Sequence, residues 1–200
     1  MSNVYVEPAR ELPIEAQCDI LVVGGGAAGH SAAVAAARAG AKNIILLERY
    51  GYMGGDVTGG YVIMVPNLSW YDKSFVRGLQ EEWFTRLSKI PGAVSAPSLD
   101  QIGSTDPALL HPWSGIHDCV SRGGYGGCKP SCLVRSVYFE PNQLKIELDK
   151  MLLEHKDAIT VMCHSWGTRP IMENGAVKGV IYESKEGRKA ILAKVVIDAT

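Results

Sequence analysis

The chain has 200 residues, 46% of them hydrophobic and 20% charged, with a formal net charge of −1. That balance excludes a mainly disordered chain and any general electrostatic attraction to nucleic acid or anionic lipid, so neither is expected as a partner. The length suits a domain with a substantial core, and the distinctive number is 22 glycines, well above the average of about 7%.

Residues 1–17 carry Glu7, Pro8, Arg10, Glu11, Pro13 and Glu15. They lack the basic-then-apolar order of a secretory leader and predict a polar N-terminal arm. No stretch reaches the roughly 18–20 apolar residues that span a bilayer. The cysteines are odd in number (Cys18, Cys119, Cys128, Cys132, Cys163). Without a leader they argue against a disulfide framework and for the cytosol.

Residues 19–23 (D-I-L-V-V) read as a strand buried on both faces. Residues 29–39 predict an alanine-rich helix ended by Gly40, and residues 43–47 (N-I-I-L-L) a second buried strand. A crossover of this length makes the two strands parallel. Between the first strand and the helix, Gly24, Gly26 and Gly29 satisfy G-x-G-x-x-G, with Ala27 and Ala28 between them. In that context Gly24 serves the tight turn, Gly26 the approach of a pyrophosphate, and Gly29 close helix packing. The helix start then favours an anion. Glu48 ends the second strand, 24 residues after Gly24. A carboxylate there can accept hydrogen bonds from ribose hydroxyls and repels a 2′-phosphate. This combination predicts a dinucleotide site.

A second glycine cluster occupies 51–60. The spacing of Phe75, Leu79, Trp83 and Leu87 predicts a helix over 72–88. Residues 89–135 read as a long loop with five prolines and a third glycine cluster at 123–127. His111, His117, Cys119, Cys128 and Cys132 fall in it. Their spacing admits zinc or exchangeable thiols but matches no close pattern, and structural or substrate-loop roles are preferred. Arg122 and Arg135 are candidates for holding an anionic substrate, though loop arginines are more often solvated. A strand is expected over 134–139, a helix from Pro141 to about Glu154, and a strand over 158–163. A meander follows at 168–173, 177–183 and 189–192, turning at Asn174-Gly175 and Glu186-Gly187. Residues 194–199 (K-V-V-I-D-A) form a last buried strand.

I-L-V-V-G-G-G-A-A-G, then L-L-E-R, then M-G-G-D-V-T-G-G, resembles the flavoproteins of the glutathione-reductase structural class, nearest the FAD-dependent oxidoreductases grouped with fumarate reductase and succinate dehydrogenase flavoprotein subunits. The likeness resumes from Tyr138 to Thr200. It implies an α/β, Rossmann-like FAD-binding domain with a parallel sheet and an inserted three-stranded β-meander. The domain would comprise 18–60 and 134–200, with 61–133 inserted as a cap or substrate segment. It implies cofactor contacts at Gly24, Gly26, Ala27, Ala28, Gly29, Glu48, Arg49, Gly54, Gly55, Asp56, Val161, Ala199 and Thr200, with the backbone at Val161 meeting adenine. Asp56, Val57 and Thr58 stand where some members place a histidine that attaches the flavin, so FAD is expected to be non-covalent. His30, at the helix start, is expected to be a polar cap. The family's substrate cap normally follows the final strand, so a second polypeptide completing a hetero-oligomer is expected, along with a small-molecule substrate and hydride transfer. A tRNA-modifying flavoprotein, a non-catalytic electron-transfer subunit and a plain NAD-binding protein remain open at this point.

Overall fold

A computed structural model describes residues 3–66, 68–70, 73, 74, 76–109 and 132–200. Phe75, His111, His117, Cys119, Arg122, the 123–127 glycine cluster and Cys128 lie outside the described residues. The chain divides into two compact units, Met1–Tyr52 with His155–Thr200, and Met53–Glu154.

The first unit contains β1 (Ile14–Val23), α1 (Ala27–Arg38), β2 (Ile44–Leu47), β8 (Ile159–Met162), β9 (Trp166–Glu173), β10 (Ala176–Ser184) and β11 (Gly187–Asp198). Its six-stranded sheet runs β8-β2-β1-β11-β10-β9. β8, β2, β1 and β11 are mutually parallel; β10 and β9 are antiparallel. Side chains alternate across a strand, so the buried strands split into two sets. Leu21, Val23, Ile45 and Leu47 join Val180, Tyr182 and Ile191 in one cluster. Val22, Ile44 and Leu46 are buried on the other face, under α1 with its fully buried Ala33 and Val34. Gly167 lies so close over Val23 that a Cβ would come within 2.6 Å of a valine methyl.

The final strand differs from expectation. Residues 189–192 and 194–199 are one continuous strand, β11, rather than two. Its early residues pair antiparallel with β10, and from Ala190 on it also pairs parallel with β1. Asn174-Gly175 is the two-residue turn expected: both residues have positive φ, 48° and 78°, the type I′ requirement. The second turn sits one residue earlier than predicted, at Lys185-Glu186, because Ser184 pairs with Gly187. β1 also starts earlier, so Ile14–Gln17 is strand and not arm.

The second unit contains β3 (Met64–Val65), β4 (Ser69–Trp70), β5 (Lys73–Ser74), α2 (Leu79–Leu87), β6 (Val94–Ser95), β7 (Val137–Phe139) and α3 (Pro141–Leu153). The small sheet runs β3-β7-β6, and β4-β5 is a separate hairpin. The helix predicted over 72–88 shortens to α2 because Gly78 precedes it at φ +77°. Trp83, Phe84 and Leu87 are buried with Leu144, Leu148, Met151 and Leu152 of α3, and Phe84 meets Phe139 at 5.6 Å between ring centroids. Pro141 takes the first turn of α3 as expected, capped by Glu140, which accepts the Gln143 N–H at 2.6 Å. Arg135 is buried rather than solvated: it donates to Glu81 at 2.7 Å and to the Pro97 carbonyl at 2.5 Å. Its charge is therefore spent on the fold.

Among the described residues, Cys18, Cys132 and Cys163 form no disulfide. Burial pushes the Cys18 thiol up to about 11. Among the described residues no helix is long and apolar enough to cross a membrane, and no group of three His, Cys, Asp or Glu could hold a metal ion.

Candidate nucleotide-binding site

The four parallel strands end together, at Val23, Leu47, Met162 and Asp198. Backbone hydrogen bonds lace these ends: Gly24 N–H to Leu47 O at 2.8 Å, Glu48 N–H to Met162 O at 2.9 Å, and Ala199 N–H to Val23 O at 2.9 Å. The carboxyl edge of an open α/β sheet is where such folds bind ligands.

The three motif glycines are required for different reasons. Gly24 has φ +98°, and a Cβ on it would come within 2.6 Å of the Ala199 carbonyl oxygen. A Cβ on Gly29 would overlap the Gly24 carbonyl and press on Ala199. Both are glycine because turn, helix and final strand close on one another. Gly26 has φ −62°, which any residue adopts, and a Cβ on it would meet nothing within 4 Å. Among the described residues, neither strain nor packing calls for glycine there. Open space in front of its α-carbon is what a bound group approaching the backbone needs.

Gly26 caps α1 without any side-chain hydrogen bond. The first intrahelical bond runs from His30 N–H to Gly26 O at 2.9 Å. The N–H groups of Ala27, Ala28 and Gly29 therefore have no intrahelical acceptor, and they point outward at the positive end of the helix. That donor set suits a pyrophosphate. His30 itself is fully buried.

Glu48 is 5% exposed. One carboxylate oxygen accepts the Gly25 N–H at 2.6 Å and the other the Tyr50 N–H at 2.7 Å. Arg49 is exposed, its guanidinium 4.6 Å from the centre of the Tyr50 ring, which stacks on Tyr52 at 5.3 Å. Val161 lies on the edge strand β8, 39% exposed. Ala199 packs under Gly24 and Gly29, and Thr200 donates through N–H and hydroxyl to Asp198, which holds that carboxyl below its usual range. The first unit thus brings together Gly24, Gly26, Ala27, Ala28, Gly29, Glu48, Ala199 and Thr200 at one sheet edge.

Gly54, Gly55 and Asp56 belong to the second unit. Gly54 is buried at φ +98°, and a Cβ on it would strike Thr58 and Leu148. The Thr58 hydroxyl ties the loop by donating to Met53 O at 2.6 Å, so this glycine cluster is an ordered turn around a short 3-10 helix, Gly55–Val57.

His164 is a residue that sequence reasoning missed. It follows β8 at φ +53° and is exposed, and its Nε2 would lie 2.9 Å from a Cβ on Gly51.

The FAD dependent oxidoreductase family matches residues 19–200. A curated urocanate reductase from Eggerthella lenta is 50% identical over 56 residues, which is 28% of this chain and 9% of that protein. In fold, the chain is similar to p-nitrophenol 4-monooxygenase PnpA from Pseudomonas putida, with a TM-score of 0.55 and 13% identity over 92% of this chain and 41% of that one. It is also similar to a flavocytochrome c3 fumarate reductase, with a TM-score of 0.51 and 22% identity over 92% of this chain and 34% of that one. The chain therefore spans well under two thirds of these relatives. The cofactor is FAD, and the open space at Gly26 beside the uncapped start of α1 fits its pyrophosphate. With a family match running from Asp19 through the last strand, the chain belongs to the FAD-dependent oxidoreductases.

Proposed function

We propose that this chain is the FAD-binding portion of an oxidoreductase that moves a hydride between a small-molecule substrate and flavin. The observation that carries the reading is Gly26, in front of whose α-carbon the described residues leave open space. Bound FAD supplies a two-electron acceptor. The N–H groups of Ala27, Ala28 and Gly29 hold the pyrophosphate, and Glu48 meets the ribose with the lone pairs its backbone bonds leave free. Arg49 and the backbone at Val161 flank the adenine, and Ala199 and Thr200 close the edge beside the glycine turn. Gly54, Gly55 and Asp56 are further cofactor contacts in this reading, and the flavin is held non-covalently because no histidine stands in that loop.

In this reading a second polypeptide completes the substrate side. Native mass measurement of the purified protein tests it. A stoichiometric FAD complex of the 200-residue chain alone, reduced by substrate at full rate, overturns it.

Gly26→Ala tests the site itself. Alanine fits the backbone, so stability should change by less than about 1 kcal/mol, while FAD affinity should fall at least about tenfold, the equivalent of roughly 1.4 kcal/mol. Unchanged affinity sinks the assignment.

A further inference from the structure

The glycine run 24–26 poses a physical problem. Three consecutive residues without side chains lose more conformational freedom on ordering than any others, yet the turn must hold one shape for the amides that follow it. Gly24 is pinned by Ala199. Gly26 touches nothing with its open face. Between them, Gly25 is fixed through its N–H, which donates to a Glu48 oxygen at 2.6 Å.

Glu48 is well built for that task. Its other oxygen accepts the Tyr50 N–H at 2.7 Å, its own N–H bonds to Met162 O at 2.9 Å, and its carbonyl accepts from Ser165 N–H at 2.9 Å. Both bonds to the carboxylate are charge-assisted, the stronger class. A carboxylate this buried pays a desolvation cost, which these N–H donors and the positive end of α1 offset.

We propose that Glu48 is a positioning residue as well as a nucleotide ligand: its carboxylate sets the glycine turn in its binding shape through Gly25, independently of any contact with ribose. The proposal rests on the nucleotide reading above and adds a second role for the same side chain. Glu48→Gln is the informative change. The glutamine amide has one accepting end and one donating end, so it cannot accept from Gly25 and Tyr50 together.

The experiment is a binding cycle on the purified protein freed of flavin, with ADP and 2′,3′-dideoxy-ADP as probes. A ribose ligand alone predicts that Glu48→Gln weakens ADP and leaves dideoxy-ADP, which has no hydroxyls to lose, at wild-type affinity or better. A positioning role predicts a loss of about fivefold or more for both probes. Hydrogen exchange on the flavin-free wild type gives a reading that does not depend on the variant folding. The Gly25 amide should exchange at least about tenfold more slowly than that of Ala27. Dideoxy-ADP binding untouched by Glu48→Gln, or a Gly25 amide that exchanges as fast as Ala27, overturns the proposal. A wild type that binds neither probe overturns the nucleotide reading beneath it.

Discussion

The first unit rests on strands of 10, 9 and 12 residues in β1, β10 and β11, whereas among the described residues no strand of the second unit exceeds three. Long ladders spread stability over many backbone bonds and a continuous apolar layer. Short ones cannot, and the second unit leans on individual polar side chains: Arg135 joining Glu81 and Pro97, Thr58 closing its turn, and Arg86 bridging Glu82 at 2.7 Å and Glu154 at 2.6 Å. The first unit should therefore be broken by steric intrusion, and the second by removing one charge.

The largest expected effect is Gly29→Ala. The new methyl has no room against the Gly24 carbonyl, so turn, helix and final strand must separate. We expect about 3 kcal/mol or more of lost stability, with flavin binding lost as well. Urea unfolding followed by circular dichroism checks it; a variant as stable as the wild type would remove the steric account.

Arg135→Ala comes next. It leaves Glu81 largely buried without its partner, which should cost about 2–3 kcal/mol, reduced because Glu81 keeps some access to water. Hydrogen exchange resolved along the chain should show the loss within 53–154 and leave β1, β2 and β11 unchanged. Uniform loosening of both units would erase the contrast between them.

The smallest effect is alkaline. The Cys18 thiol is held near 11 against an ordinary value of 9.0, so the unfolded chain ionises first. Stability from this group is complete below about pH 9 and falls between 9 and 11, by roughly 2 kcal/mol at the top of that window. Wild type and Cys18→Ala compared by urea unfolding at pH 8 and 11 should differ in slope by that amount. Equal slopes would mean that Cys18 does not feel its burial.

The same contrast explains what could be read from sequence. β1 and β2 announce themselves because burial on both faces writes continuous apolar runs, and α1 because alanine and Gly40 mark its body and end. Asn174-Gly175 fixes a hairpin by its positive φ requirement alone. In the second unit, two-residue strands have no period to detect, and Gly78 ends a stripe that looked longer. The glycine motif located the turn at the sheet edge, but it could not distinguish Gly26, open to the outside, from Gly24 and Gly29, closed upon by the protein. Nor could it show that both oxygens of Glu48 are engaged by backbone. Those facts depend on Ala199 closing on the turn and on Gly25 reaching Glu48 from 23 residues away.

The single strand β11 has a consequence for how the molecule is made. It pairs Ile14 with Ala190 and Val23 with Asp198, so β1 has no neighbour on that side until β11 emerges. β9, β10 and the early part of β11 are local and can form as soon as they leave the ribosome. The glycine turn can close only on Ala199, so the meander can form before the nucleotide edge does. Until then β1 carries an open, apolar edge of the kind that invites mispairing. A cofactor cradle that closes only on Ala199 gains its ligand's stabilisation only after that exposed interval has passed.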